Sequence, residues 1–310
     1  MSSLKGRDLL SLRDLTAAEL TAVLDLAADL KARQRVGQPH QLCAGKTLGM
    51  IFQKSSTRTR VSFEVGMYQL GGHALYLNAQ DMQLGRGETV ADTARVLSRF
   101  VDAIMIRTFA QAEVEELARY ADVPVINGLT DWEHPCQILA DLLTIREHKG
   151  ALEGLKLAWV GDGNNVCHSL LLGGAMTGMR VAVATPPGYA PAGAVVTTAR
   201  ELAAAHGGAV ELTADPAEAV READILVTDT WASMGREAEH DARARVFAPY
   251  QVNEFLVSLA RPDFIFLHCL PAHRGEEVTD AVIDGPHSVV WDEAENRLHA
   301  QKALLASVLS

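Results

Sequence analysis

The sequence predicts an α/β fold with two doubly wound parallel-sheet domains and an active-site cleft between them. Three observations predict it. The chain has 310 residues, more than one hydrophobic core usually organises. Short apolar runs rich in β-branched residues recur along it with few polar interruptions, as strands covered on both faces require. Helical spacing fills the gaps between those runs, an alternation that belongs to parallel sheets.

Thr16 is the first helix signal, an N-cap with Glu19 at the capping-box position and apolar spacing through Leu20, Leu24 and Leu30. Strands follow at Thr47–Phe52, Ala74–Leu77, Ala103–Ile106 and Val123–Ile126, with helices over Arg58–Leu70 and Val90–Phe100. Pro135 suits the first turn of a helix that stops near Lys149–Gly150. That stop sets the expected boundary between a first domain, 1–149, and a second, 150–310, with the terminal helix, 292–310, packing back on the first. In the second half the strands are Lys156–Val160, Arg180–Ala184, Ala209–Leu212, Ile225–Thr228, Phe264–Leu267 and Val289–Trp291.

Composition narrows the function classes. Lys and Arg number 28 against 39 Asp and Glu, a net charge of −11, which argues against a nucleic-acid surface. The first ten residues carry Lys5, Arg7 and Asp8, and no apolar run approaches the roughly 20 residues that span a bilayer, so neither a signal peptide nor an anchor is expected. The four cysteines are widely spaced without a CxxC pair, which fits free thiols in the cytoplasm better than disulfides or a zinc site.

Open α/β sheets bind ligands at the carboxyl ends of their strands, and the polar motifs fall there. Phe52-Gln53-Lys54-Ser55-Ser56-Thr57-Arg58-Thr59-Arg60 leaves a strand and opens a helix. A helix N-terminus offers free N–H groups and a positive dipole end, and Arg58 adds a rigid fork for phosphate oxygens. Alone, the segment fits an N-capped helix with solvated cations equally well. Arg107 and His134-Pro135-Cys136-Gln137 lie just beyond two further strands, and this convergence favours an anion site.

Ser56-Thr57-Arg58-Thr59-Arg60, followed by Ser62-Phe63-Glu64, resembles the carbamoyl-phosphate motif of the aspartate and ornithine carbamoyltransferases, and His134–Gln137 resembles their second motif. The resemblance implies that Ser56, Thr57, Arg58 and Thr59 bind the phosphate. Thr59, Arg107 and His134 would contact the carbonyl oxygen of carbamoyl phosphate. Gln137 would contact its amide, with Pro135 and Cys136 in the same motif. Gln83 matches a loop residue that reaches carbamoyl phosphate across a subunit interface, and Arg297 matches a further contact. The family's chemistry is attack of an amine on the carbonyl carbon with loss of phosphate, without metal or organic cofactor. Its members are trimers or multiples of trimers.

Gly161-Asp162-Gly163-Asn164-Asn165-Val166 invites a dinucleotide reading after the strand Lys156–Val160. Val166 in place of the third glycine opposes it. So does the absence of an acidic residue at the end of the next strand, Ala184-Thr185-Pro186. Asn165 and Asp229 instead offer an amide and a carboxylate suited to an α-amino acid. Asp229-x-x-x-Ser233-Met234-Gly235 resembles the loop of the family's ornithine-using members. It implies that Asn165, Asp229, Ser233 and, through its backbone, Met234 bind ornithine. His268-Cys269-Leu270-Pro271 resembles a third motif, placing Cys269 beside the δ-amine and the Leu270 carbonyl near the carbamoyl amide, with a cis Leu270–Pro271 bond. The catalytic set so implied is Arg58, Arg107, His134, Asp229 and Cys269. Putrescine carries the same reacting amine and stays open as an alternative acceptor. His268 and His273 are expected to be structural or surface residues.

Overall fold

The computed structural model describes residues 4–232 and 239–310. By internal contacts the chain divides into two compact units. One comprises the residues through Leu143 together with Glu295–Ser310, and the other Thr144–Ala294.

In the first unit four parallel strands, β1 (Thr47–Phe52), β2 (His73–Asn78), β3 (Ala103–Arg107) and β4 (Val125–Leu129), lie in the order β2-β1-β3-β4. Helices α1 (Ala17–Arg35), α2 (Thr57–Gln69), α3 (Val90–Leu97), α4 (Gln111–Tyr120) and the start of α5 (Pro135–Lys149) connect or cover them. β3 and β4 are buried throughout and β1 almost throughout, whereas edge strand β2 has only exposed and half-buried residues. Ile51, Ala94, Ile104, Ile106, Val114 and Leu117 form a core on this sheet. Thr16 caps α1 in a complete capping box with Glu19, as the sequence predicts. β4 starts two residues later than expected: Val123 and Pro124 precede it, and a proline has no N–H to give a ladder.

The second unit carries β5 (Lys156–Val160), β6 (Arg180–Ala184), β7 (Ala209–Thr213), β8 (Ile225–Thr228) and β9 (Ile265–His268), all parallel, in the order β7-β6-β5-β8-β9. α6 (Asn165–Met176), α7 (Gly193–His206) and α8 (Pro216–Val220) alternate with these strands; α9 (His240–Phe247), α10 (Glu254–Val257) and α11 (Asp280–Ile283) follow the later ones. Trp231, Phe247, Tyr250 and Phe266 pack with Ala158 and Leu226 into its core.

The strand expected at Val289–Trp291 does not form, because α12 (Val290–Leu309) begins there. Ser288 makes a single bridge to Phe266, and the Val289 N–H donates to the Phe266 carbonyl at 3.0 Å. The Val289 carbonyl then accepts from Glu293 N–H at 2.9 Å. Asp292 and Glu293 sit in the first helical turn, where negative charge suits the dipole.

Each sheet reverses its winding once, at β1/β3 in the first unit and β5/β8 in the second. The carboxyl ends flanking such a reversal form the natural binding crevice of an open α/β sheet. Both candidate sites lie at these four ends. No helix among the described residues is long and apolar enough to cross a membrane.

Candidate active site

In the first unit the reversal joins the segment after β1 to Arg107, the last residue of β3. Ser56 caps α2, its hydroxyl accepting from the Thr59 N–H at 3.2 Å. Thr57 and Arg58 therefore occupy the first turn, at the positive end of the helix. The Thr59 hydroxyl accepts from two guanidiniums, Arg107 Nη1 at 3.3 Å and Arg297 Nη2 at 3.2 Å. Both arginines are buried. Like charges gathered on one hydroxyl repel one another in a poorly hydrated place, and an anion with several oxygens relieves that repulsion.

His134 lies at the same end of the sheet, immediately before α5, and is buried. Burial and then the charges of Arg297, Arg107 and Arg58 hold its imidazole well below the usual histidine range. It is therefore neutral at physiological pH, with one ring N–H to donate. The turn before it is stapled, since the Thr130 hydroxyl accepts from Trp132 N–H and Glu133 N–H, and the Glu133 carboxylate accepts from Ser11 at 2.6 Å. Pro135 takes the first position of α5. Gln137 Oε1 accepts from Arg297 Nη1 at 2.5 Å, while its Nε2 donates to Asp141 at 2.8 Å.

Some motif residues stand outside this cluster. Lys54 is buried, bonded to Asp131 and placed over the Phe109 ring at 4.2 Å. Arg60 pairs with Glu64 and lies 3.8 Å from the Tyr76 ring. The Cys136 thiol is buried, which pushes its pKa up to about 12, and it donates to the Asn127 carbonyl at 3.5 Å. Cys136 thus fastens the helix and has no reactive thiolate. Gln83 is exposed on a 3-10 turn, Gln83–Arg86, and joins none of the hydrogen bonds described above.

In the second unit Asn164 caps α6, its Oδ1 accepting from Val166 N–H at 3.0 Å and Cys167 N–H at 3.1 Å. Its Nδ2 donates to Asp229 Oδ2 at 2.8 Å. Cys269 Sγ donates to Asp229 Oδ1 at 3.2 Å. One buried carboxylate at the end of β8 is thereby fixed from two sides. Asn165 is the first residue of α6 and is buried beside this cap. The Leu270–Pro271 bond is cis, as the family resemblance implies. Ser233 and Met234 lie outside the described residues.

Asn164 was not singled out from the sequence. The signal was present, because an Asn ahead of a helix with a second polar partner in reach is a cap with a spare donor. The glycines of this segment serve packing and backbone conformation. A Cβ on Gly163 would stand 2.2 Å from the Pro191 nitrogen, and Gly163 N–H donates to the Tyr189 carbonyl at 2.9 Å. Contact with residues 189–191 thus explains Gly163, and a φ of 143°, which favours glycine, explains Gly161.

Donor atoms of Asp229, His268 and Cys269 lie within 4.8 Å of one another. His268 is nevertheless committed elsewhere. Its Nδ1 accepts from Leu270 N–H at 2.9 Å, so Nε2 carries the proton and donates to Glu277 Oε1 at 3.1 Å. Both ring nitrogens are used, and His268 is structural.

The family model of the aspartate/ornithine carbamoyltransferase carbamoyl-P binding domain matches residues 7–147, and that of the Asp/Orn binding domain matches 153–308. The chain belongs to the aspartate/ornithine carbamoyltransferase family. An ornithine carbamoyltransferase of Carboxydothermus hydrogenoformans is 67% identical over 309 residues, covering 100% of this chain and 99% of that protein. The anabolic ornithine carbamoyltransferase of Pyrococcus furiosus is 62% identical over 307 residues, 99% of this chain and 98% of that one. A solved structure of ornithine carbamoyltransferase from Pyrococcus furiosus superposes with a TM-score of 0.97, covering 100% of this chain and 99% of that chain.

Proposed function

We propose that the chain is an ornithine carbamoyltransferase, transferring the carbamoyl group of carbamoyl phosphate to the δ-amine of L-ornithine and releasing L-citrulline and phosphate, in arginine metabolism. The observation that carries this reading is the pair of buried guanidiniums, Arg107 and Arg297, on the Thr59 hydroxyl at a helix N-terminus. It meets a phosphate and a carbonyl oxygen that gains negative charge. The identity to ornithine carbamoyltransferases across essentially the whole chain supports the acceptor.

The same proposal assigns the roles, and the family resemblance and the geometry support them. Ser56, Thr57, Arg58 and Thr59 receive the phosphate at the start of α2. Arg107, Thr59 and the neutral His134 donate to the carbonyl oxygen as it becomes an oxyanion. Preoriented donors of this kind stabilise the transition state more than the ground state. Gln137 Oε1 accepts from the carbamoyl amide, and Arg297 and the Leu270 carbonyl complete the hold on carbamoyl phosphate. Asp229 and Asn165, with Ser233 and the Met234 backbone, bind ornithine, and Cys269 stands at its δ-amine. The amine nitrogen attacks the carbonyl carbon, the carbon–oxygen bond to phosphate breaks, and the amine's proton passes to Asp229, directly or through the Cys269 thiol, which gives up its own proton to Asp229 as it takes one. Attack needs the neutral amine, a minor species for an alkylamine of pKa near ~10.4.

A cytoplasmic homo-oligomer, a trimer or a multiple of trimers, belongs to the same proposal. The resemblance of the Gln83 loop to a family loop that reaches a neighbouring subunit's site supports it, and Gln83 is exposed as that role requires. The experiment is carbamoyl transfer by the purified protein with ornithine, putrescine, acetylornithine and aspartate tested separately. Citrulline from ornithine alone is expected; turnover of putrescine instead would keep the phosphate site and reject the acceptor.

A further inference from the structure

The second unit gathers four more side chains that the proposed reaction does not use. His240 opens α9, and His273, Glu276 and Glu277 follow the cis Leu270–Pro271 bond. His240 Nε2 lies 3.1 Å from both carboxylate oxygens of Glu276. His273 Nδ1 lies 4.0 Å from Glu276 Oε2 and 3.9 Å from Glu277 Oε2. Glu277 is fully buried. Its Oε1 accepts from His268 Nε2 at 3.1 Å and from the His273 N–H at 2.6 Å, while Oε2 has no hydrogen-bond partner among the described residues.

We propose that His273 Nδ1 and one carboxylate oxygen from each of Glu276 and Glu277, atoms that lie within 4.8 Å of one another, form a site for a divalent transition-metal ion of the zinc class, with water completing its coordination. Three physical points carry this. A tetrahedral ion with bonds of about 2.0–2.1 Å keeps its ligand atoms about 3.4 Å apart. The separations of 3.9 and 4.0 Å from His273 Nδ1 to the two carboxylates exceed that value modestly, so an ion draws these pairs in by about half an ångström. Secondly, a buried carboxylate oxygen without a partner is costly. The 3.9 Å gap from Glu277 Oε2 to His273 Nδ1 is too long for a hydrogen bond to fill, whereas a cation placed in that gap satisfies both atoms.

Thirdly, the surroundings orient the donors as metal sites do. His240 Nε2 lies 3.1 Å from both oxygens of Glu276 and holds that carboxylate in place from behind. Glu277 is held through Oε1 with Oε2 left over. The side chains of His240 and His273 are 43% and 46% exposed, which gives an ion a route in from solvent. Nitrogen with carboxylate favours zinc, cobalt or nickel over magnesium, which prefers all-oxygen ligands. The site is coupled to the acceptor-binding segment, because Glu277 holds His268, whose Nδ1 receives the Leu270 N–H next to Cys269.

The test uses the full chain carrying Cys269→Ala, which removes the thiol from the Asp229–His268–Cys269 trio as a competing zinc site. Calorimetric titration of the chelator-treated protein with Zn²⁺ is expected to show one equivalent bound per chain. His273→Ala, added to that background, is expected to weaken binding at least tenfold, and His240→Ala and Glu276→Gln to act in the same direction. Thermal melts without metal confirm that these half-exposed substitutions leave the fold intact. Co²⁺ is expected to give the visible absorption of a four-coordinate nitrogen–oxygen site in the Cys269→Ala protein and to lose it in the double histidine variant. Absence of stoichiometric Zn²⁺ binding in the Cys269→Ala protein overturns the proposal. Binding unmoved by both histidine variants, or Mg²⁺ binding of equal strength, does the same.

Discussion

The two candidate sites occupy equivalent positions, each at the reversal of a parallel sheet, yet they are built from opposite materials. The first unit assembles cations: Arg107 from the end of β3, Arg297 from α12 and Arg58 from the first turn of α2, set around Thr59 and a neutral His134. The second assembles neutral donors around one carboxylate, with Asn164 and Cys269 fixing the two oxygens of Asp229. The topology supplies the place and the side chains supply the sign. A site with surplus positive charge suits an anionic carbamoyl donor, and one built on a carboxylate suits a cationic amino acid.

Substitutions break this contrast in graded steps. Arg107→Gln removes a charge that the proposed function directs at the developing oxyanion and is expected to lower kcat/KM for carbamoyl phosphate about 10³-fold. A loss below tenfold would place Arg107 outside the reaction. Asp229→Asn keeps the shape but removes the negative charge of the second site. Steady-state kinetics should show a loss of about 10²-fold in kcat/KM for ornithine, with the Michaelis constant for carbamoyl phosphate nearly unmoved.

His134 sharpens the comparison, because its neutrality is a product of the cations around it. His134→Gln leaves a neutral donor in less favourable geometry, and kcat should fall by about 10²-fold. The pH dependence should not change. For wild type and variant alike, kcat/KM for ornithine is expected to rise about tenfold per pH unit from about 6 to 8, following the free amine. A slope that flattens in the variant shows that His134 titrates. Acid stability carries the same signature. The folded pKa lies below the unfolded value of about 6.5, so the stability due to this group is complete above that pH. It is lost as pH falls from there toward the folded pKa. Urea unfolding at pH 7.5 and 5.5 should show the wild type losing more stability than His134→Gln, by up to about 1.4 kcal/mol per pH unit.

Asn164 gives the smallest effect and separates two duties. Asn164→Ser retains a side-chain oxygen for the cap of α6 but drops the donor to Asp229. Activity is expected to fall about tenfold at nearly constant stability. Asn164→Ala adds the cap loss, about 1 kcal/mol in unfolding experiments. Equal activity in wild type and Asn164→Ser removes Asn164 from the account.

How much of this was legible in the sequence follows the physics of each element. Thr47–Phe52 and Lys156–Val160 match β1 and β5 residue for residue, since a buried parallel strand writes itself as an apolar run. Val289–Trp291 carries the same kind of run and becomes a helix start, because an apolar triplet alone does not distinguish a strand from a buried helix end. Thr59, Arg107, Gln137 and Arg297 were named from motifs, but the meeting of Arg107 and Arg297 on the Thr59 hydroxyl, and of Arg297 with Gln137, is a tertiary fact that spacing does not carry. Lys54 shows the converse. It sits inside the phosphate motif and turns to Asp131 and Phe109, since local pattern records charge but not direction. Asn164 escaped notice because its partner, Asp229, lies on a distant strand.

The division of labour between the two sites is tested most directly by equilibrium binding of carbamoyl phosphate, without ornithine, to the wild type, Arg107→Gln and Asp229→Asn proteins. The account predicts that Arg107→Gln weakens binding at least tenfold, about 1.4 kcal/mol or more, while Asp229→Asn stays within about twofold of wild type. Loss of carbamoyl phosphate binding in Asp229→Asn, with retention in Arg107→Gln, would contradict it.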